Sequence, residues 1–210
     1  MSGDGCSTAP VRLLPSQKPQ AVEVLTRAFR DDAGYEYVFP DPDQRLRSLR
    51  RLWHALLAYT LLYGEVYTTA DLAGIACWLA PGKTELSLRQ ALRTGFALPR
   101  AVLGFPKEGR QRFADVMNYN ADVHRRLSLG PHWYLAALGV DPAHQRRGVG
   151  GALLGAVLPR ADAEGLSCYL EAINEENARF YAKRGFVVVH EGDVPGHPFK
   201  LWSLLRRAGG

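Results

Sequence analysis

The stretch Leu138-Gly139-Val140-Asp141-Pro142-Ala143-His144-Gln145-Arg146-Arg147-Gly148-Val149-Gly150-Gly151-Ala152-Leu153-Leu154 decides the fold. Its first three residues end an apolar run, Trp133 to Val140, of the length and character of a strand buried on both faces. Asp141-Pro142 starts a turn. A basic, glycine-rich segment then leads into a helix expected from about Arg147 to Glu164. Such a junction suits an anion. The first N–H groups of a helix have no internal partner and point outward at the positive end of the dipole. Gly148, Gly150 and Gly151 carry no side chain to hold a phosphate away, and Arg146 and Arg147 add charge toward a polyanion. The competing reading is a plain strand-to-helix turn with exposed arginines.

Two common glycine-rich sites do not fit. A P-loop needs lysine followed by Ser or Thr after its last glycine, whereas Gly151 is followed by Ala152-Leu153. A dinucleotide fingerprint starting at Gly148 needs Gly or Ala where the chain has Leu153.

Downstream, the pattern predicts a strand at Cys168 to Ala172 and a helix at Glu175 to Arg184, capped by Asn174 and closed by Gly185. Strands at Phe186 to His190 and Phe199 to Leu204 follow. Upstream, Val11 to Leu14 reads as a strand, and a helix to about Arg30 carries the stripe Val22, Leu25, Ala28, Phe29. Asp31 to Asp43 reads as a loop of acids and aromatics, and a second helix runs from near Asp43 to about Tyr63. A hairpin joins Glu65 to Thr69 with Leu72 to Leu79, and a helical insert over about 85–128 is interrupted at Pro99 and at Phe105-Pro106. The order predicts an α/β class with a mixed sheet and helices on its faces. Residues 1–8 read as a disordered tail and 9–210 as a single domain.

Gln145-x-x-Gly148-x-Gly150 resembles the coenzyme-A signature of the GNAT superfamily of acyltransferases. Asn177-Ala178-Arg179-Phe180-Tyr181-Ala182-Lys183-Arg184-Gly185-Phe186 resembles that family's Asn-x-x-x-Tyr-x-x-x-Gly-Phe element, about 30 residues further on. Clear resemblance covers roughly Trp133 to Phe186. The first half is most similar to the puromycin N-acetyltransferase-like branch, through Ala28-Phe29, Phe39-Pro40-Asp41 and Trp78-Leu79-Ala80-Pro81-Gly82. Pro159 and Tyr169-Leu170-Glu171 also fit that branch.

The resemblance implies a mostly antiparallel central sheet splayed between its fourth and fifth strands, with acetyl-CoA as co-substrate and no metal. It implies that backbone groups of Leu138 and Val140 pair with the pantetheine arm, with Gly139 at the strand bulge that opens the sheet. Amides of Gln145, Arg146, Arg147, Gly148, Val149, Gly150 and Gly151 would hold the pyrophosphate, and Asn177 would bond the pantetheine. Tyr181 would protonate the leaving thiolate, since a phenol holds its proton until that anion forms. Packing against Phe180 and Phe186 is the plainer reading of Tyr181.

No Ser-His-Asp or Cys-His constellation stands out, so direct transfer to an amine is expected, with a strand N–H near Leu138 stabilising the oxyanion. Glu171, at the C-terminal end of its strand, reads equally as the group that binds or deprotonates the amine and as a structural carboxylate paired with arginine. His132 and Tyr134 are weaker candidates. The Asp31 to Asp43 loop supplies acids and aromatics suited to a cationic amine with an apolar body. The expected acceptor is a small-molecule primary amine, amine-bearing antibiotics included. A protein or peptide acetyltransferase and a non-catalytic CoA-binding regulatory domain are the alternatives.

Composition bounds the rest. A chain of 210 residues, 47% hydrophobic and 22% charged, can bury a sizeable core, which excludes a disordered or disulfide-stapled class. The longest apolar candidate, Leu52 to Gly64, is too short to span a membrane, and Met1 to Pro10 has no signal-peptide pattern. A cytoplasmic enzyme, monomer or homodimer, with no membrane partner is expected. Of 26 cations 21 are arginines, but the net +5 is spread along the chain and argues for no nucleic-acid partner. Cys6, Cys77 and Cys168 are odd in number and far apart, as structural thiols would be. The six histidines show no metal-ligand spacing.

Overall fold

The computed structural model describes residues 8–84, 87–127 and 129–209. The tail expectation for residues 1–8 falls almost wholly outside them, as does Cys6. Seven strands form one sheet: β1 (Pro10–Arg12), β2 (Gly64–Thr69), β3 (Gly74–Leu79), β4 (His132–Val140), β5 (Ser167–Ala172), β6 (Val187–Asp193) and β7 (Lys200–Arg206), in the order β1-β2-β3-β4-β5-β7-β6. Every neighbouring pair is antiparallel except β4 with β5. This is the mixed α/β fold the sequence predicts.

The strand that sets the site is β4. Cys77 faces Ala137 but Trp78 faces Leu135, so Ala136 is an extra residue in β4 opposite β3. A bulge of one residue reverses the parity of the side chains beyond it. Trp133 and Leu135 pack on the face of Leu153, Leu154 and Val157, and past the bulge Leu138 and Val140 join that face. Ala137 turns to the opposite core, with Leu25, Leu49 and Leu57. The bulge was expected at Gly139 and is instead at Ala136. Gly139 lies flat against β3 opposite Ile75. A Cβ there would come within 2.9 Å of Leu25 and Phe29 and 3.1 Å of Ala28. The glycine admits a helix.

That helix is α1 (Lys18–Phe29), which covers one face of the sheet with α3 (Pro42–Tyr63). The opposite face is covered by α7 (Val149–Gly155), α8 (Leu158–Ala163) and α9 (Glu175–Ala182). The single helix expected from Arg147 to Glu164 is thus two. Pro159 lacks the N–H that would bond back to Gly155, and the chain breaks at Ala156-Val157 before restarting with Pro159 in the first turn of α8. Asn174 caps α9 by accepting from Asn177 N at 2.7 Å, and Gly185 follows at φ +84°.

Asp31 to Asp43 is not a plain loop. It holds α2 (Ala33–Val38), with Asp32 accepting from Gly34 and Tyr35 amides, while Asp41 caps α3. The helical insert comprises α4 (Leu88–Arg93), α5 (Ala97–Leu103) and α6 (Lys107–Leu127). Pro99 does not interrupt it, because the break falls earlier, at Gly95 and Phe96 with φ +61° and +56°, leaving Pro99 in the first turn of α5.

Candidate active site

Strands β4 and β5 pair only at His132↔Ser167, Trp133↔Cys168 and Tyr134↔Tyr169. Beyond Tyr134 they part. From Leu135 to Val140 the edge of β4 facing β5 has no strand partner among the described residues, so a fork opens in the middle of the sheet. An extended chain can add to such an edge through backbone hydrogen bonds.

The root of the loop after β4 is anchored on both sides. Asp141 accepts from Arg27 at 2.8 Å, and its N–H donates to Ala73 O. Gln145 Nε2 donates to Val140 O at 3.2 Å, so its side chain braces the loop. Arg146 takes φ +59° and Gly148 φ +83°. Among the described residues none of the seven consecutive N–H groups from Gln145 to Gly151 donates to another part of the chain. Arg146 and Arg147 are exposed and form no ion pair there. Those amides and cations could hold a diphosphate.

The three glycines do different work. A Cβ on Gly148 would meet open space, as the phosphate argument expects. A Cβ on Gly150 would lie 3.1 Å from Phe180, and one on Gly151 would lie 2.7 Å from Arg184. Both therefore let α9 and the residues after it pack against α7. Arg184 donates to Phe180 O at 2.6 Å and stacks over the Phe180 ring at 3.8 Å, which sets its guanidinium beside the start of α7. That guanidinium is a cation the sequence reading did not single out.

Tyr181 sits edge-on to Phe180 at 5.1 Å and to Phe186 at 5.8 Å, so the packing reading of its ring holds. Its hydroxyl makes no hydrogen bond among the described residues. Burial raises its proton affinity above the ordinary phenol value, opposed by Arg184. Asn177 is exposed on α9. Cys168 and Cys77 are wholly buried, and burial pushes both thiols up to about 12.

Glu171 stands on β5 beyond the fork, half-buried. Among the described residues no salt bridge joins it to an arginine. Tyr134 donates to its Oε2 at 2.7 Å. Burial lifts the carboxyl from 4.5 to about 7, opposed by the Tyr134 and Tyr169 hydroxyls. Tyr134 in turn lies well above the ordinary phenol range, through burial and then the charge of Glu171. The Tyr134 and Tyr169 rings stack at 5.9 Å. His124, on α6, lies 4.9 Å from Tyr169 and bonds His132 through Nε2–Nε2 at 3.0 Å. Since His132 Nδ1 must donate to Gly130 O at 2.8 Å, its Nε2 accepts when neutral and His124 donates. Burial lowers the proton affinity of His132.

Tyr134, a weaker candidate in the sequence reading, thus bonds Glu171 directly. His124 was missed, because one histidine in a polar helix carries no signal before α6 is placed. The acids and aromatics of 31–43 are mostly engaged elsewhere. Asp31 pairs with Arg30, Glu36 with Arg45, and Phe39 is buried against Phe105. Tyr37 packs on His197 and Phe199. Only Tyr35, between Phe29 and Trp53, reaches toward Tyr134.

Residues 110–186 match the model of the acetyltransferase (GNAT) family. Solved structures share the fold over nearly the whole chain. A protein described as histone acetyltransferase HPA2 and related acetyltransferase, from Corynebacterium glutamicum, is 22% identical over 96% of this chain and 97% of its own, with TM-score 0.66. The putative arylalkylamine N-acetyltransferase 7 of the yellow fever mosquito is 14% identical over 95% and 86%, with TM-score 0.64. A mutant of agmatine N-acetyltransferase in its apo form is 16% identical over 95% and 98%, with TM-score 0.62. The stretch that carries the fork and the amide-lined loop is thus the stretch similar to acetyltransferases of the GNAT type, a class that draws on acetyl-CoA. Among the described residues no cluster of His, Cys, Asp and Glu is placed to hold a metal, and no helix is long and apolar enough to cross a membrane.

Proposed function

We propose that this chain transfers the acetyl group of acetyl-CoA directly to a primary amine of a small molecule. The observation that carries the reading is the row of seven undonated amides from Gln145 to Gly151 at the mouth of the fork, beside Arg146, Arg147 and Arg184. The amides would take the pyrophosphate, and the open edge at Leu138, Gly139 and Val140 would take the pantetheine, with Asn177 bonding that arm. That layout brings the thioester to the fork, between Tyr181 and Glu171. Glu171, poised near 7, accepts a proton from the acceptor's ammonium, and Tyr181, which holds its proton at neutral pH, gives one to the departing thiolate. A β4 N–H near Leu138 meets the oxyanion.

The amines named for two of the structural neighbours, arylalkylamine and agmatine, support a small cationic acceptor. The sequence likeness to the puromycin N-acetyltransferase-like branch extends the proposal to amine-bearing antibiotics. This reaction belongs in the cytoplasm and requires no metal. Release of free thiol from acetyl-CoA is the assay, with a panel of arylalkylamines, polyamines, aminonucleosides and a histone-tail peptide. Turnover with a small amine is expected. Turnover with the peptide alone would refute the acceptor class, and no thiol release with any member would refute the activity.

A further inference from the structure

Two hydroxyls beneath Glu171 have no work in the reaction as described. Tyr169 precedes Glu171 by two residues on β5, so both side chains leave the same face, and Ser203 is the register partner of Glu171 on β7. Tyr169 and Ser203 are each 0% exposed, and neither hydroxyl oxygen makes a hydrogen bond. The Tyr169 phenol is nonetheless near enough to Ser203 and Glu171 for each to alter its proton affinity. A buried hydroxyl without a partner is destabilising. Phenylalanine and alanine would fill the same space without that penalty.

The surroundings show what the hydroxyls could serve. Tyr134 reaches Glu171 from β4, with Tyr35 of α2 behind it and Asp32, which caps that helix, near Tyr35. His124 on α6 faces Tyr169 and bonds His132. On β6, His190 lies opposite Ser203 and meets the Tyr119 hydroxyl at 3.1 Å. None of these makes an ion pair with Glu171 among the described residues. Once ionised, its charge has hydroxyl dipoles and its own backbone N–H to stabilise it.

We propose that Ser203 and Tyr169 are positioning residues for Glu171, joined to its carboxylate through one buried water that they hold, so that the ionised form is stabilised and kept facing the fork. Two hydroxyls and a carboxylate are the three partners a buried water takes. During the step the acceptor's ammonium gives one proton to Glu171, leaving a neutral amine and a carboxylic acid. The water and the two hydroxyls turn but lose no proton. The inference rests on the reading of Glu171 as the group that takes that proton.

The test is the pH profile of kcat and kcat/KM, with thermal melting, for the wild type, Ser203→Ala, Tyr169→Phe and Glu171→Gln. In Ser203→Ala and Tyr169→Phe the acid limb should move up by about one pH unit, a tenfold change in proton affinity. kcat at pH 7 should fall about fivefold, KM for acetyl-CoA should stay within about twofold, and melting should hold or rise. Ser203→Thr should restore the profile. Should Tyr169→Phe fail to fold, Ser203→Ala and Ser203→Thr decide. Wild-type profiles in the folded variants, alongside an inactive Glu171→Gln, would overturn the inference alone. A fully active Glu171→Gln would overturn the reading of Glu171 and the inference with it.

Discussion

Replacing Glu171 by glutamine separates the catalytic from the structural meaning of a half-buried carboxylate. Burial raises its carboxyl from 4.5 to about 7. At 1.36 kcal/mol per pH unit this gap is worth roughly 3 kcal/mol, and solvent at the half-exposed group reduces it to about 2–3 kcal/mol. The sign follows from which state binds the proton more tightly. The native carboxyl keeps its proton between pH 4.5 and about 7 while the unfolded one loses it, so the contribution to stability is full below 4.5 and is lost as pH rises to 7. Glutamine never ionises and can still accept from Tyr134. Glu171→Gln should therefore match the wild type near pH 4.5 and melt roughly 5–10 °C higher above pH 7. Its kcat should drop by about 10²–10⁴ at pH 7–8, and the acid limb near pH 7 in the wild-type kcat/KM profile should vanish. Melting followed by circular dichroism and thiol release across pH 5–9 measure both effects. A melting difference that does not change with pH, or a wild-type rate flat through pH 7, would refute the reasoning.

Tyr181→Phe keeps the ring contacts with Phe180 and Phe186 and removes only the hydroxyl. kcat should fall about 10²-fold with acetyl-CoA affinity by titration calorimetry within about twofold, whereas equal loss of both would make the residue a packing element. Gly150→Leu forces Phe180 away from α7, since even a Cβ would lie 3.1 Å from its ring. The amide row and Arg184 should shift together, and the Kd for acetyl-CoA should rise at least about tenfold. Unchanged affinity would show that the loop does not depend on that contact.

The proposed donor side has local sequence signals because it is made of backbone. Glycine positions, a turn marker and a capping asparagine are local signals, and Asn174 and Gly185 terminate α9 as their types require. The reasons for individual glycines were less legible. Gly139, Gly150 and Gly151 answer to Leu25, Phe180 and Arg184, which come from other elements. The proposed acceptor side has scarcely any such signal. Tyr134, Tyr169, Glu171 and Ser203 converge from three strands, and His124 joins them from α6. None of these pairings has a fixed spacing in sequence. Asp32 and Asp41 cap helices, and an acid that caps a helix and an acid that binds an amine look alike in a chain of letters.

The bulge at Ala136 links the two halves of the site. Without it, Leu138 and Val140 would turn toward α1 and α3, and Gly139 toward α7. Gly139 would then lose its use, since its bare Cα is what lets Leu25 and Phe29 approach. With it, β4 presents Trp133 and Leu135 to one helix layer and Tyr134 to the other, and then exchanges the parity where pairing with β5 ends. The fork therefore opens where β4 is least constrained, one residue after Tyr134 leaves its last partner on β5. Tyr134 is held at the vertex by Tyr169 and Glu171, and the open edge begins at Leu135. A single extra residue thus places Tyr134, Tyr169 and Glu171 next to the free strand edge, as the proposed direct transfer between a thioester and an amine would require.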